Sequence, residues 1–553
     1  MRLLLLALLV VAVTASSFQE RMLLVEGATL KCDLCVDGLK LFGALVESNA
    51  SIGEIEKAAF RLCVDGKFEL PEVCQGMIDA FGPEVVPILV EVYDSEEDIT
   101  AVCDRIGWCR SQSSEFEIKP ATIESFHAID LPKSQTLQKS PGNDANGSGN
   151  SLTVLQLSDV HFDPYYVEGA YVQCGKPLCC RADDQPIDGN RTAGAWGDYE
   201  CDINEKMIHA MLSHISATVK PDYIFWTGDN PPHNVWSQSR EFQLNATLRV
   251  TNLLKTYFPN TVILPAIGNH ESFPVDQFPR PPAENWLYSF MSEEWKDWLS
   301  ASARETLNLG GYYSMLVGER LRVVALNTQY FDEANFFLLL GDTDPGNQLQ
   351  WLNETLVQSQ ERNETIWLLG HIPTQDGAAL PGYAQSLLDI IKPYSERVIA
   401  LFNGHVHNDL VNVAVDEETG LPYLVQYICP SVTTFTNINP SFRLYEIDKD
   451  SYEVRDYTQY VTNVTEANES GHPTWQVEYS ARAAYGLSDM SGRSWLEFGK
   501  ALFKDDELFG TYYRHYYTSS PGADTPCDAR CRKFASCAVV SATLNSLANC
   551  VNH

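Results

Sequence analysis

The sequence predicts an α/β layered domain that carries a two-metal hydrolytic site between two helical, cysteine-rich regions. Three observations predict it. Five short runs of ligand-type residues occur in order: Asp159-Val160-His161, Gly228-Asp229-Asn230, Gly268-Asn269-His270-Glu271, Gly370-His371-Ile372 and Gly404-His405-Val406-His407. An apolar, strand-like run precedes each of them. The cysteines gather in groups before, inside and after this stretch.

The strands come first. Leu152 to Leu157 leads to Asp159, Tyr223 to Trp226 to Asp229, and Val262 to Ile267 to Asn269. Leu321 to Leu326 leads to Asn327, Ile366 to Leu369 to His371, and Val398 to Phe402 to His405. Strands that each deliver a polar residue at the C-terminal end describe a layered α/β fold with its site along one edge. Gly228, Gly268, Gly370 and Gly404 are expected to let the backbone turn sharply beside the ligands.

The start of the chain sets the compartment. Met1-Arg2 precedes an apolar run from Leu3 to Val13, and Val13-Thr14-Ala15 fits a small-x-small cleavage site, so residues 1–15 read as a signal peptide. No later run looks long enough to span a bilayer, which takes about 20 apolar residues. Fifteen cysteines suit an oxidising compartment. Eight sequons, at Asn49, Asn146, Asn190, Asn245, Asn353, Asn363, Asn463 and Asn468, are candidate glycosylation sites. A net charge of −34 argues against nucleic acid as a partner. The same acidity serves solubility, or service at low pH.

Cys32, Cys35, Cys63, Cys74, Cys103 and Cys109 have 2, 27, 10, 28 and 5 residues between successive members. Spacing alone leaves all 15 connectivities open. Val36, Leu39, Phe42 and Val46 recur at helical spacing, as do Ile78, Phe81, Val85, Leu89 and Val92, with a kink or break expected at Pro83 and Pro87. The pattern resembles the saposin B-type domain over residues 28–112. That resemblance implies an all-helical domain, the pairs Cys32–Cys109, Cys35–Cys103 and Cys63–Cys74, and peripheral contact with lipid. Residues 113–150, rich in Pro, Gly, Asn and Ser, read as a mostly extended linker.

Residues 151–445 form the expected catalytic domain. Two divalent ions about 3.5–4 Å apart share a carboxylate, acidify a bound water and clamp a phosphoryl group. Carboxylate, imidazole and amide oxygen are ligands for Zn, Mn or Fe(II). The five runs resemble the pattern of the calcineurin-like metallophosphoesterases: D-x-H, G-D, G-N-H, G-H and G-H-x-H. Carried over by position, Asp159, His161, Asp229 and His407 would hold one metal. Asp229, Asn269, His371 and His405 would hold the other, with Asp229 as the bridge. His270 would stabilise the transition state or protonate the leaving oxygen, and His233 is a second candidate for that acid role. Glu271 reads as an orienting group. Cys174, Cys179, Cys180 and Cys201 suggest a metal knuckle or disulfides; the resemblance implies Cys174–Cys179 and Cys180–Cys201. Cys429 lacks an evident partner and reads as buried and inert.

Residues 446–553 read as a C-terminal helical domain. Trp495, Leu496, Phe498, Ala501 and Leu502 have helical spacing, and Cys527–Cys531 and Cys537–Cys550 are the expected pairs. The order of signal, saposin-like domain, metallophosphoesterase and Cys-rich helices is similar to the acid sphingomyelinase family. It implies a monomeric hydrolase with two Zn²⁺ ions that cleaves sphingomyelin to ceramide and phosphocholine, in lysosomes or after secretion. Two other classes stay open: a phosphodiesterase of soluble nucleotides, and a non-catalytic lipid-binding protein.

Overall fold

A computed structural model describes residues 28–95, 100, 102, 103, 109 and 150–552, without 188, 190 and 284. The expected signal peptide, nearly all of the linker and the sequons at Asn146 and Asn190 lie outside the described residues.

The N-terminal region has three long helices: α1 (Ala28–Glu47), α2 (Ile52–Gly66) and α3 (Pro71–Ser95). Ser51 caps α2 reciprocally with Glu54, and Lys67 ends it at φ 57°. Disulfides join Cys32 to Cys109, Cys35 to Cys103, and Cys63 to Cys74. Helix α3 runs unbroken through Pro83 and Pro87, where a kink or break was the expectation. Each proline forfeits an intrahelical hydrogen bond. Burial of Phe81, Val85, Val86 and Leu89 offsets that loss. Residues 71–93 are long and apolar enough to cross a membrane, contrary to the expectation that no later run would be. Here most of that stretch is buried inside the protein, and Asp79, Glu84 and Glu91 interrupt it. Its contacts extend past its own region to Val235, Val275, Phe336 and Leu339 of the catalytic unit.

The catalytic unit is a sandwich of two six-stranded sheets. One has the order β12-β11-β10-β1-β2-β3 and the other β4-β5-β6-β7-β9-β8. β1 (Ser151–Leu157), β2 (Tyr223–Trp226) and β3 (Val262–Pro265) are mutually parallel. So are β5 (Leu321–Ala325), β6 (Thr365–Leu369), β7 (Val398–Asn403) and β9 (Pro422–Ile428). β4 (Tyr313–Leu316) and β8 (Leu410–Val415) pair antiparallel at the two edges of the second sheet. Phe225 of β2 meets Trp367 of β6 and Phe402 of β7, with centroids 5.5 and 4.8 Å apart, so aromatic rings fill the space between the sheets. Helices α4 (Glu205–Thr218), α5 (Arg240–Tyr257), α6 (Asn285–Glu294), α7 (Ala301–Gly310), α8 (Gln348–Glu361) and α9 (Pro381–Ile391) complete the unit. Asn327 serves structure, since its amide donates to Tyr288 Oη and the Gly310 carbonyl.

The boundary expected at residue 445 falls inside β10 (Ser441–Asp448). β11 (Val454–Val461) and β12 (Gln476–Ser480) then extend the first sheet, in residues expected to be helical. The alternating burial along β11 is the strand signal. Helices follow: α10 (Val464–Ser470), α11 (Ala481–Tyr485), α12 (Gly492–Leu502), α13 (Asp506–Tyr516), α14 (Ala529–Val539) and α15 (Leu544–Asn552). Disulfides close Cys527–Cys531 and Cys537–Cys550. Among the described sequons, Asn49, Asn245 and Asn363 are exposed, and Asn353 and Asn463 are half-buried. The Asn468 amide is engaged, accepting from Trp196 N and donating to the Gly197 carbonyl.

Candidate metal centre

All seven expected ligands converge where the parallel strands end. Asp159 and His161 follow β1, Asp229 follows β2, Asn269 follows β3, His371 follows β6, and His405 and His407 follow β7. The turns are tight. Asp159, His161, Asp229, His405 and His407 all sit at positive φ, between 43° and 68°. Such conformations are uncommon for residues other than glycine and cluster at functional sites. So the ligand residues make most of the sharp turns that the glycines were expected to make. Gly268 and Gly404 have another reason to be glycine. A Cβ on Gly268 would lie 2.1 Å from Asp229 Oδ1, and one on Gly404 1.8 Å from Ser158 Oγ.

Two carboxylate–imidazole groups face each other across Asp229. Asp159, His161 and His407 form one; Asp229, His371 and His405 form the other. His161 Nε2 lies 3.5 Å and His371 Nε2 3.1 Å from Asp229 Oδ2, which puts this carboxylate between the groups. Asn269 Oδ1 completes the second group, 2.8 Å from His371 Nε2 and 3.1 Å from His405 Nδ1.

The tautomers show that this donor set wants cations. His161 Nδ1 donates to the Pro231 carbonyl at 2.8 Å, and His407 Nδ1 to the Phe435 carbonyl at 2.6 Å. Both Nε2 atoms therefore carry lone pairs, yet they lie only 3.1 Å apart. Two acceptors at that distance repel unless a positive ion lies between them. Burial, with neighbouring imidazoles, depresses His161 well below the usual histidine range and His407 to about 3, so a proton is a poor candidate for that ion. In the second group, His371 Nδ1 donates to the Thr227 carbonyl, which leaves its Nε2 facing Asp229 and Asn269 oxygens. Burial opposes charge on His371, but Asp229 and Asp159 outweigh it and lift the ring to about 10. Positive charge is favoured there. The residues thus fit a pair of divalent ions, with backbone carbonyls fixing three imidazoles.

Glu271 stands outside the ligand set. Its carboxylate accepts from the backbone of Gly268, Asp229 and Asn230, at 2.6, 3.0 and 2.7 Å, and ties two ligand loops together. His233 and His270 sit beside His161, with ring centroids 3.9 and 4.7 Å from it. His233 is gripped by Asp202, which accepts from Nδ1 at 2.8 Å and from the backbone N–H at 2.7 Å. Burial alone would lower His233, and Asp202 with Asp229 and Asp159 reverses that and raises it. Burial takes His270 down to about 3, and its buried Nδ1 has no hydrogen-bond partner among the described residues. Asp202 escaped the sequence reading because it follows Cys201 in no recognisable motif. Asp276, whose Oδ1 accepts from Asn269 Nδ2 at 2.7 Å, escaped it too. The Cys174–Cys179 and Cys180–Cys201 disulfides account for the four cysteines between the first two runs, so a metal knuckle is not formed there. Cys429 is buried and unpaired.

Comparison with known proteins agrees with this geometry. Residues 152–409 match the calcineurin-like phosphoesterase profile, and residues 423–553 match the acid sphingomyelin phosphodiesterase C-terminal region. Sphingomyelin phosphodiesterase B of Dictyostelium discoideum is 34% identical, over 95% of this chain and 82% of its own length. Sphingomyelin phosphodiesterase of Bos taurus is 35% identical, over 94% of this chain and 83% of its own. The cyclic GMP-AMP phosphodiesterase SMPDL3A of Bos taurus is 31% identical over 71% of this chain and 89% of its own length. With matches to two family profiles and relatives aligned along nearly its whole length, this chain belongs to the sphingomyelin phosphodiesterase family of calcineurin-like phosphoesterases.

Proposed function

We propose that the chain hydrolyses sphingomyelin to ceramide and phosphocholine, with two zinc ions, as a monomer working at membrane surfaces in lysosomes or outside the cell. Asp159, His161, Asp229 and His407 would hold one ion, and Asp229, Asn269, His371 and His405 the other. A metal pair bound by these residues would supply neutralisation of the phosphoryl oxygens and acidification of the attacking water. The chain's own residues do the rest. Asp229 spaces the two halves of the site, and Glu271 fixes the loop that carries it. His233, held by Asp202, gives its proton to the ceramide oxygen as the P–O bond breaks; the water oxygen joins phosphorus, and the proton that water gives up to solvent balances the one His233 takes back. His270 is a neutral hydrogen-bonding neighbour at that point. The disulfides and exposed sequons support the secretory route.

One observation carries the reading: two Asp/His groups that could each hold a metal ion meet in a chain that aligns over 94–95% of its length with sphingomyelin phosphodiesterases. The nucleotide reading has less behind it. The cyclic GMP-AMP phosphodiesterase aligns with 71% of the chain, about the size of the catalytic and C-terminal parts without the N-terminal helices. A non-catalytic role has no use for so complete a donor set.

The test measures turnover of sphingomyelin liposomes, a cyclic dinucleotide and a nitrophenyl phosphodiester at acidic and neutral pH, with and without added zinc. Ceramide and phosphocholine are expected from the liposomes. Asp229→Asn should abolish their release and lower metal content below two ions per chain. Faster turnover of the dinucleotide than of sphingomyelin would overturn the reading.

A further inference from the structure

We infer that Gln243 is a positioning residue for the reaction: its side-chain amide, working through Gln238, fixes the spacing of His233 and His270 beside the metal ligands. The inference rests on the reading above that these two rings serve the leaving oxygen, and it needs no protonation state of either.

The two rings come from different loops, with centroids 4.8 Å apart. They are held differently. Asp202 grips His233 through both its ring and its backbone. His270 has no partner at its buried Nδ1 among the described residues, so its backbone sets its place. That backbone is held on both sides. The His270 N–H donates to Asp229 Oδ1 at 2.9 Å, and the carbonyl accepts from Gln243 Nε2 at 2.8 Å. The same Nε2 donates to the Ser272 carbonyl at 2.9 Å and to Gln238 Oε1 at 3.0 Å. Gln238 Nε2 in turn donates to the Pro232 carbonyl at 2.6 Å and to Asn234 Oδ1 at 3.1 Å, on either side of His233. Two glutamine amides in series therefore join the backbone around one histidine to the backbone around the other.

Backbone carbonyls only accept, so they fix which end of each glutamine is the NH₂, and the two hydrogens of Gln243 are shared among three acceptors. Gln243 Oε1 is left buried without a partner among the described residues, so this amide serves through its NH₂ end alone. The anchor is firm. Gln243 is fully buried in the first turn of α5, where the Ser239 hydroxyl caps the helix and the Ser239 carbonyl accepts from Gln243 N at 3.0 Å. A side chain on a capped helix end, and not on either loop, thus gauges the distance between the loops. Such spacing matters for rate, since a misplacement of about 1 Å costs about 10²-fold.

The test separates positioning from folding. Full-length Gln243→Met keeps the length of the side chain and removes the amide. Metal content, melting temperature, kcat and KM are measured with detergent-dispersed sphingomyelin and with nitrophenyl phosphocholine. The variant should keep two ions and a KM close to wild type, while kcat falls about 10–100-fold. The same substitution is then made in His233→Ala/His270→Ala, read with nitrophenyl phosphocholine, whose leaving group departs with little help. There it should change kcat by no more than about 2-fold, because the groups it places are gone. A residue that only stabilised the loops would lower turnover in both backgrounds. Unchanged kcat, loss of metal, or an equal effect in the two backgrounds overturns the inference. If Gln243→Met does not fold, Gln238→Met decides from a half-buried position. A fall in its kcat that vanishes in the double-alanine background supports the inference, and any other result overturns it. A wild-type chain that hydrolyses neither substrate would instead overturn the function proposed above.

Discussion

The two cysteine-rich flanks meet the catalytic unit in different ways. The N-terminal helices keep a core of their own, built from Leu39, Phe42, Val73, Phe81 and Leu89, and share it with the catalytic unit along one seam. At that seam α3 passes so close to the loop after His233 that a Cβ on Gly76 would lie 2.0 Å from the Trp236 carbonyl. The C-terminal helices have no separate core. Trp495, Phe498, Leu502, Phe534 and Leu547 belong to the same cluster as the two sheets. They also reach the ligand loops. Thr374 and Gln375, a few residues after His371, donate to the carbonyls of Ala542, Ala538 and Ser541. Asn408 Nδ2 and Asp409 N, just after His407, both donate to the Tyr516 carbonyl. Asp409 is further held by Arg443 at 2.5 Å and by the Tyr479 hydroxyl. One flank is attached to the catalytic machine; the other is part of its frame.

The largest effect should come from removing the frame. A chain cut before α12 would expose the apolar faces of β8 and β9 and orphan the buried donors of Gln375 and Asn408. Each such group left unpaired costs about 1–3 kcal/mol. The expected outcome is no soluble, metal-loaded protein, as judged by size-exclusion chromatography and metal analysis. Recovery of a folded truncation with two ions would break the comparison.

Removing residues 28–112 should do less. The seven ligands lie outside that region, so a folded variant should keep both ions. Hydrolysis of sphingomyelin in liposomes should fall strongly, while that of a soluble phosphodiester falls much less. Equal loss of both activities in a folded, metal-loaded variant would show that the helices brace the catalytic unit rather than deliver lipid to it. The seam gives a finer version of the experiment. Gly76→Ala drives a Cβ into a backbone carbonyl, which cannot rotate away, so the N-terminal helices should loosen locally and resist proteolysis less. Gly499→Ala puts a Cβ 2.5 Å from Val540 Cγ1 inside the shared core. Its cost, about 1–3 kcal/mol, should appear as a lower global unfolding midpoint. Matching midpoints for the two variants would mean that the flanks are not so different.

How much of this was legible in the sequence follows the same division. Where a short motif coincides with a strand end, as at Asp159, Asp229 and His405, composition and order located residues that the fold brings together. β2 was read to the residue because Tyr223 to Trp226 is apolar and bounded by polar turns. What stayed hidden depends on long-range contact. β11 and β12 were missed because their alternation has meaning only beside β10. Asp202 and Asp276 were missed because a carboxylate that hydrogen-bonds another side chain carries no local signature. Its partner is 31 residues away for His233 and 7 for Asn269. The unbroken α3 is a third case, in which packing overrode the local preference of two prolines.

The smallest effect tests the frame through protons. Glu478 lies on β12, where its Oε1 accepts from Ser519 Oγ and its Oε2 is buried without a partner. Burial lifts its carboxyl to about 8, and Asp409 adds to the rise while Ser519, Arg443 and Arg514 oppose it. The folded state therefore holds a proton that the unfolded chain releases near its ordinary value of about 4.3. The resulting stabilisation is present in full below that value and is lost as pH rises through about 8. Because the residue is only half-buried, we expect about 1–2 kcal/mol of change, far less than the truncation. Melting temperature measured at pH 5 and pH 8.5 should fall more in wild type than in Glu478→Gln, which cannot ionise. If the two proteins lose the same number of degrees, Glu478 does not carry its proton in the fold. The sign matters for the comparison, because a frame that tightens on acidification would steady the His371 and His407 loops at low pH, and among the described residues the N-terminal flank has no equivalent grip on them.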